Sequence, residues 1–150
     1  MKNSVLLAVL SGTERDGWLA PFLLNFLMGA GRGLGRDVQL QLMHAVRPVD
    51  AARNQIAEDF LRSDCEWLCM IDNDMSPPVD LLHMVNRAGE QMDILAPKHY
   101  VTATVQYGQV QRLEAVLGWV PLNGKPVEQG REWTELKLAS SGVLLVRRDA

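Results

Sequence analysis

Residues 48–78 read PVDAARNQIAEDFLRSDCEWLCMIDNDMSPP, and the order of patterns within this stretch decides the fold. Ala52, Ile56, Ala57, Phe60 and Leu61 recur at helical spacing. Asp50 stands where a side chain caps a first turn, so the spacing predicts a helix over 51–62. Past Ser63 the pattern changes to the continuous apolar run EWLCMI, which predicts a buried strand. That strand delivers Asp72 and Asp74 with one residue between them, and Ser76 with Pro77 then opens a further helix whose core side holds Leu81, Leu82 and Val85. Helix, buried strand, then paired carboxylates is the grammar of a parallel α/β sheet. Such sheets bind ligands beyond the carboxyl ends of their strands.

The flanking sequence extends the same alternation. Val5–Leu10 is an apolar run closed by Ser11-Gly12 and reads as a buried strand. Residues 18–30, WLAPFLLNFLMGA, have helical length with Pro21 in the first turn, and VQLQL at 38–42 alternates with period two. DILAP at 93–97 is a short strand, further strands fall near 113–120 and 133–138, and SGVLLVRR at 141–148 is the last. Together these predict a layered α/β fold with a mostly parallel sheet, in one domain spanning 1–150.

Composition narrows the partners. The 150 residues are 47% hydrophobic and 22% charged, with a net charge of −3 and no cluster of Lys or Arg, which excludes a nucleic-acid surface. The apolar core Val5–Leu10 is too short for a signal peptide, and no segment has the length of a membrane span. Cys65 and Cys69 sit in or beside a strand-like run without other ligands nearby and read as core residues of a cytoplasmic protein. His44, His83 and His99 read as ordinary histidines, and Trp18, Trp67, Trp119 and Trp133 as core.

Two other motifs compete with the acids. GAGRGLGR at 29–36 has the glycines of a dinucleotide-binding turn, which needs strand, glycines, then helix; here a helix precedes and a strand follows. A helix-to-strand loop is the better reading. Asp72-x-Asp74-x-Ser76 fails as a calcium loop, because Pro77 occupies the glycine position and His83 the bidentate glutamate position. It also matches a haloacid-dehalogenase-like phosphatase, with Asp72 as nucleophile and Asp74 as general acid–base, although that family carries its motif on the opening strand.

Two carboxylates held close repel unless a cation compensates, and a hard divalent ion, Mn²⁺ or Mg²⁺, does so while leaving positions for phosphate oxygens. Asn73 between them tolerates the turn that aims both acids to one side. The bland alternative is an Asx-turn and helix cap. Arg53 shares the helix face of Ile56, Ala57 and Phe60, and a cation on a core-facing stripe requires a partner. That partner is either a diphosphate beside the acids or a carboxylate, Asp50 or Asp72.

The 48–78 block resembles the core of GT-A-type nucleotide-sugar glycosyltransferases, particularly family-2-like bacterial and phage members, in which an Ala-Arg-Asn helix leads to Trp-Leu, an apolar strand and Asp-x-Asp-Met before a proline. SSGVLLVRRDA at 140–150 resembles the Gly-x-x-Leu-x-Arg-Arg strand of the same family. The resemblance implies a three-layer Rossmann-like GT-A fold with helices on both faces of the sheet. It makes Asp72 and Asp74 the metal-binding acids, and Ser11, Gly12, Arg53 and Asn73 the contacts to the nucleotide and diphosphate. The implied activity is transfer of a sugar from a nucleoside-diphosphate sugar to an unknown acceptor. No catalytic base is identifiable: Glu132, Glu135 and Asp149 do not match the family position, and the chain reads as a GT-A core lacking the C-terminal part. A non-catalytic nucleotide-sugar-binding module is therefore a further alternative, and sheet surface left open at such an end predicts a homo-oligomer.

Overall fold

In the computed structural model, the described residues are 4–11, 28–29, 31–46, 48–72, 75, 81–88, 92–97, 101–104, 110–113, 120–121, 136–138 and 142–149. For residues 88, 101–104, 110–113, 120–121 and 136–138 this covers the backbone alone. Two compact units are present, one formed by 1–97 together with 141–150 and the other by 98–140.

The first unit is built on a five-stranded sheet. Its strands are β1 (Ser4–Ser11), β2 (Asp37–His44), β3 (Trp67–Asp72), β4 (Ile94–Leu95) and, from the far end of the chain, β9 (Val143–Arg147), in the order β2-β1-β3-β9-β4. β1 pairs in parallel with both β2 and β3, whereas β9 runs antiparallel to both β3 and β4. The sheet is thus mixed but mostly parallel, as expected: β9 alone runs against the others, entering between two strands that share a direction. The α/β class stands.

Why β1 and β3 occupy the interior follows from their sequences. Val5, Leu7, Ala8, Cys69 and Ile71 are almost wholly buried, as expected of strands covered on both faces. β2 is an edge strand and is covered unevenly: Val38 is buried, whereas Leu42 on the same face is 60% exposed.

Helix α1 (Val49–Arg62) lies on the face carrying Leu6, Ala8, Leu10 and Leu68, and inserts Ala52, Ile56 and Phe60 among them. The apolar stripe is narrower than its spacing suggests, since Ala57 is exposed and Leu61 is 64% exposed. The helix also begins earlier than expected. Pro48 is its N-cap, without a side-chain cap bond, and Asp50 belongs to the first turn, where its charge favours the helix dipole. The register pairs Val5 with Val38, placing Val38 on the opposite face from Leu6. A Cβ on Gly31 would collide with Val38 Cγ2 and lie 3.1 Å from Leu82 of helix α2 (Leu81–Ala88), so α2 serves that second face. Its Leu81, Leu82 and Val85 are buried as the spacing predicts.

The glycine-rich segment behaves as a helix end. Residues 31–33 are helical, Gly35 has φ 71°, and Gly35 N–H and Arg36 N–H donate to Arg32 O and Gly31 O, both at 2.9 Å. This is the Schellman arrangement, with Gly35 supplying the left-handed residue that stops the helix before β2. Helix, glycines, strand is the reverse of a dinucleotide-binding turn.

The second unit contains two antiparallel pairs, β5 (Val101–Thr104) with β6 (Val110–Leu113) and β7 (Val120–Pro121) with β8 (Leu136–Leu138). Of the strands expected near 113–120 and 133–138, β8 lies within the second; residues 114–119 and 133–135 lie outside the described residues. No helix among the described residues is long and apolar enough to cross a membrane.

Candidate functional site

Because β1, β2 and β3 are parallel, Ser11, His44 and Asp72 all end at one edge of the sheet. The antiparallel β9 starts there, so Gly142 joins them: its carbonyl accepts the Asp72 backbone N–H at 2.8 Å. Helix α1 also begins at this edge, directly after β2.

Asp72 has the strand parity of Leu68 and Met70, which puts its carboxylate on the α1 face. There it meets Arg53. Arg53 Nη2 donates to Asp72 Oδ2 at 2.9 Å and to Oδ1 at 3.2 Å, with both side chains 27% exposed. One nitrogen thus serves both oxygens, so the pair is not the parallel fork that guanidinium and carboxylate can form. Arg53 Nε is buried and has no hydrogen-bond partner among the described residues. A desolvated donor left unpaired is costly. Of the two carboxylates open to Arg53 in the sequence, Asp72 is the one it takes.

The loop out of β2 is strained at the same edge. Ala45 adopts φ 55° and donates its N–H to Ser11 O at 2.8 Å, tying the ends of β1 and β2 together. A side-chain-bearing residue in this left-handed region costs about 1 kcal/mol. Met75 N–H donates to Asp72 O at 3.0 Å, so the chain turns immediately after the strand. A Cβ added at Gly142 would lie 3.0 Å from Met75 Sδ, so the missing side chain there lets Met75 approach.

Of the site residues expected from sequence, Asp72 and Arg53 are therefore in contact. Ser11 lies at the same edge, half-buried, but the alternation along β1 points its side chain to the face opposite Asp72. Asp74, Asn73 and Gly12 lie outside the described residues. Gly142 and Ala45 are not among the site residues that the sequence patterns point to. A glycine just ahead of the apolar run 143–146 was the available signal for the first, and nothing in the sequence marks the second.

The donor chemistry at Asp72 fits a hard divalent cation, which prefers carboxylate oxygen, and the half-exposed position leaves a path for one. A single carboxylate is one ligand only. Among the described residues no group of three or more His, Cys, Asp or Glu is placed to hold a metal. The buried thiols do not supply a soft alternative: Cys65 and Cys69 are both fully buried, and burial pushes the Cys69 thiol up to about 12, which keeps it protonated. His44 and His83 are exposed, and His99 lies outside the described residues.

No protein-family model and no curated protein matches the chain. A solved structure is similar, the crystal structure of A197 from STIV, with a TM-score of 0.51 and 13% identity over 98% of this chain. At that identity the likeness concerns the fold. The chain spans 65% of the length of that structure.

Proposed function

We propose that this chain binds a divalent cation and a nucleoside-diphosphate sugar at the carboxyl edge of its sheet, as the sugar-donor half of a GT-A-like glycosyltransferase with three layers. The observation that carries the reading is the Arg53–Asp72 pair at that edge: an acid suited to a hard cation beside a guanidinium whose buried Nε has no partner among the described residues. Asp72, with Asp74 two residues on, would hold Mn²⁺ or Mg²⁺. When bound, such an ion neutralises negative charge on a departing diphosphate.

The chain's own contribution is positional. β1, β3 and β9 fix the edge, Gly142 anchors the Asp72 backbone, and α1 presents Arg53 to the same place. A planar guanidinium with five donors suits the oxygens of a diphosphate, and its positive charge favours their binding. Ser11, Gly12 and Asn73 complete the proposed nucleotide contacts. Transfer to an acceptor further requires a base, which the reading leaves unassigned.

Titration calorimetry with nucleoside diphosphates, with and without Mn²⁺, on wild type and Asp74→Ala tests the reading. It expects metal-dependent binding in wild type and its loss in the variant. Absence of any heat or thermal stabilisation by metal and nucleotide together in wild type refutes it.

A further inference from the structure

Arg53 Nη2 lies between the two oxygens of Asp72, at 2.9 and 3.2 Å, the position from which a cation would bridge them. A hard divalent ion bonds carboxylate oxygen at about 2.0–2.6 Å, inside the distance that Nη2 spans. A guanidinium and a divalent ion cannot share that approach, because two positive charges would stand in contact at a half-buried edge where screening is weak. The pose is also a compromise for Arg53, since it leaves Nε buried without a partner among the described residues.

We propose that Arg53 and a divalent cation are exclusive partners of Asp72, and that a cation taking the carboxylate releases the guanidinium to an anion at the same edge. This rests on the reading of the edge as a metal–diphosphate site, and adds to it a coupling between the two ligands. Arg53 weakens binding of the metal alone, because the metal must break the pair. Asp72 likewise weakens binding of the anion alone, because it holds the guanidinium. With both ligands present each removes the obstacle to the other, so they bind cooperatively, and by linkage the effect is reciprocal.

Two calorimetric titrations test this without any measurement of turnover. Mn²⁺ alone is titrated into wild type and Arg53→Gln, and inorganic pyrophosphate is titrated in chelator-treated buffer into wild type and Asp72→Asn. Circular dichroism melts check that each variant is folded. The exchange predicts that Arg53→Gln binds Mn²⁺ about two- to fivefold more tightly than wild type, the factor expected from removing a partly exposed ion pair. It predicts that Asp72→Asn binds pyrophosphate more tightly than wild type by a similar factor. Unchanged or weaker Mn²⁺ binding by Arg53→Gln, or unchanged or weaker pyrophosphate binding by Asp72→Asn, overturns the exchange while leaving the metal–diphosphate site standing. If Mn²⁺ binds neither protein, even with a nucleoside diphosphate present, the site reading falls and the exchange with it.

Discussion

Arg148 closes the C-terminal end of helix α1 by its contacts with Phe60. Its guanidinium lies over the Phe60 ring, 4.9 Å from the centroid, and its Nη2 donates to Phe60 O at 2.8 Å. Nε donates to Cys65 O at 2.8 Å, Nη1 to Leu61 O at 3.1 Å, and Nη2 also reaches Ser63 O. One side chain from just past β9 thus gathers carbonyls of the last helical turn and of the segment that follows it, and its charge suits that end of the dipole. We expect Arg148→Ala to destabilise the fold by about 2–3 kcal/mol, since several charge-assisted bonds are lost together. Arg148→Lys should restore less than half, because an ammonium lacks the planar fork. Urea denaturation of the three proteins checks both statements, and equal midpoints for wild type and alanine variant would refute them.

The Arg53–Asp72 pair should matter little for stability. Both partners are 27% exposed, so the pair is expected to contribute about 1 kcal/mol or less. Asp72→Asn and Arg53→Gln should each melt within a few degrees of wild type. A double-mutant cycle measured by thermal denaturation gives the coupling directly, and a value above about 2 kcal/mol would make the pair a structural element first.

Gly31 is required by packing. A Cβ there would strike Val38 Cγ2 within the contact between the 31–33 helical residues and β2. Gly31→Ala should cost about 1–3 kcal/mol, the usual range for overpacking a closed core. The double variant Gly31→Ala with Val38→Ala should recover part of that loss. Equal destabilisation in the single and double variants, read from urea midpoints, would place the cost elsewhere.

Cys69 makes stability fall with alkali. Its folded pKa is raised to about 12 by burial, against 9.0 for an unperturbed thiol. The unfolded chain therefore loses this proton first as pH rises. The contribution is fully present below pH 9, and declines from there until the folded thiol also titrates. At pH 10 the loss relative to neutral pH is on the order of 1 kcal/mol. Comparing wild type with Cys69→Ala at pH 8 and pH 10 isolates the thiol from other groups: the gap between them should narrow at the higher pH. Native Cys69 should also resist thiol reagents at pH 8.

Much of the first unit was legible because its signals are local. Val5–Leu10 and the run after Glu66 are unbroken apolar stretches, the spacing of Ala52, Ile56 and Phe60 is helical, and Gly35 sits where a helix must stop. Strand order was not legible. β9 has the same apolar composition as β1, and nothing in Val143–Arg147 says that it runs antiparallel between β3 and β4; that is fixed by pairing across the whole chain. At the site, the helical face of Arg53 and the strand end at Asp72 were readable separately. Their contact depends on the parity of Asp72 with Met70, which follows once the strand boundaries are known. Arg147 and Arg148 illustrate the limit: adjacent and chemically identical, they separate, Arg147 pairing with Asp93 at β4 and Arg148 capping α1.

The position of β9 has a consequence for how the chain is made. During synthesis β1, β2 and β3 can assemble early, but one side of β3 stays unpaired while everything from residue 73 to residue 142 is added. β4 pairs with β9 in the finished sheet, so it waits as well. The nascent protein therefore carries an open β-edge until β9 is made and slides into the middle, a slow, non-local step. Until then, the strand that most readily fills the gap is the β9 of a second copy, making strand exchange the characteristic misfolding route of this topology.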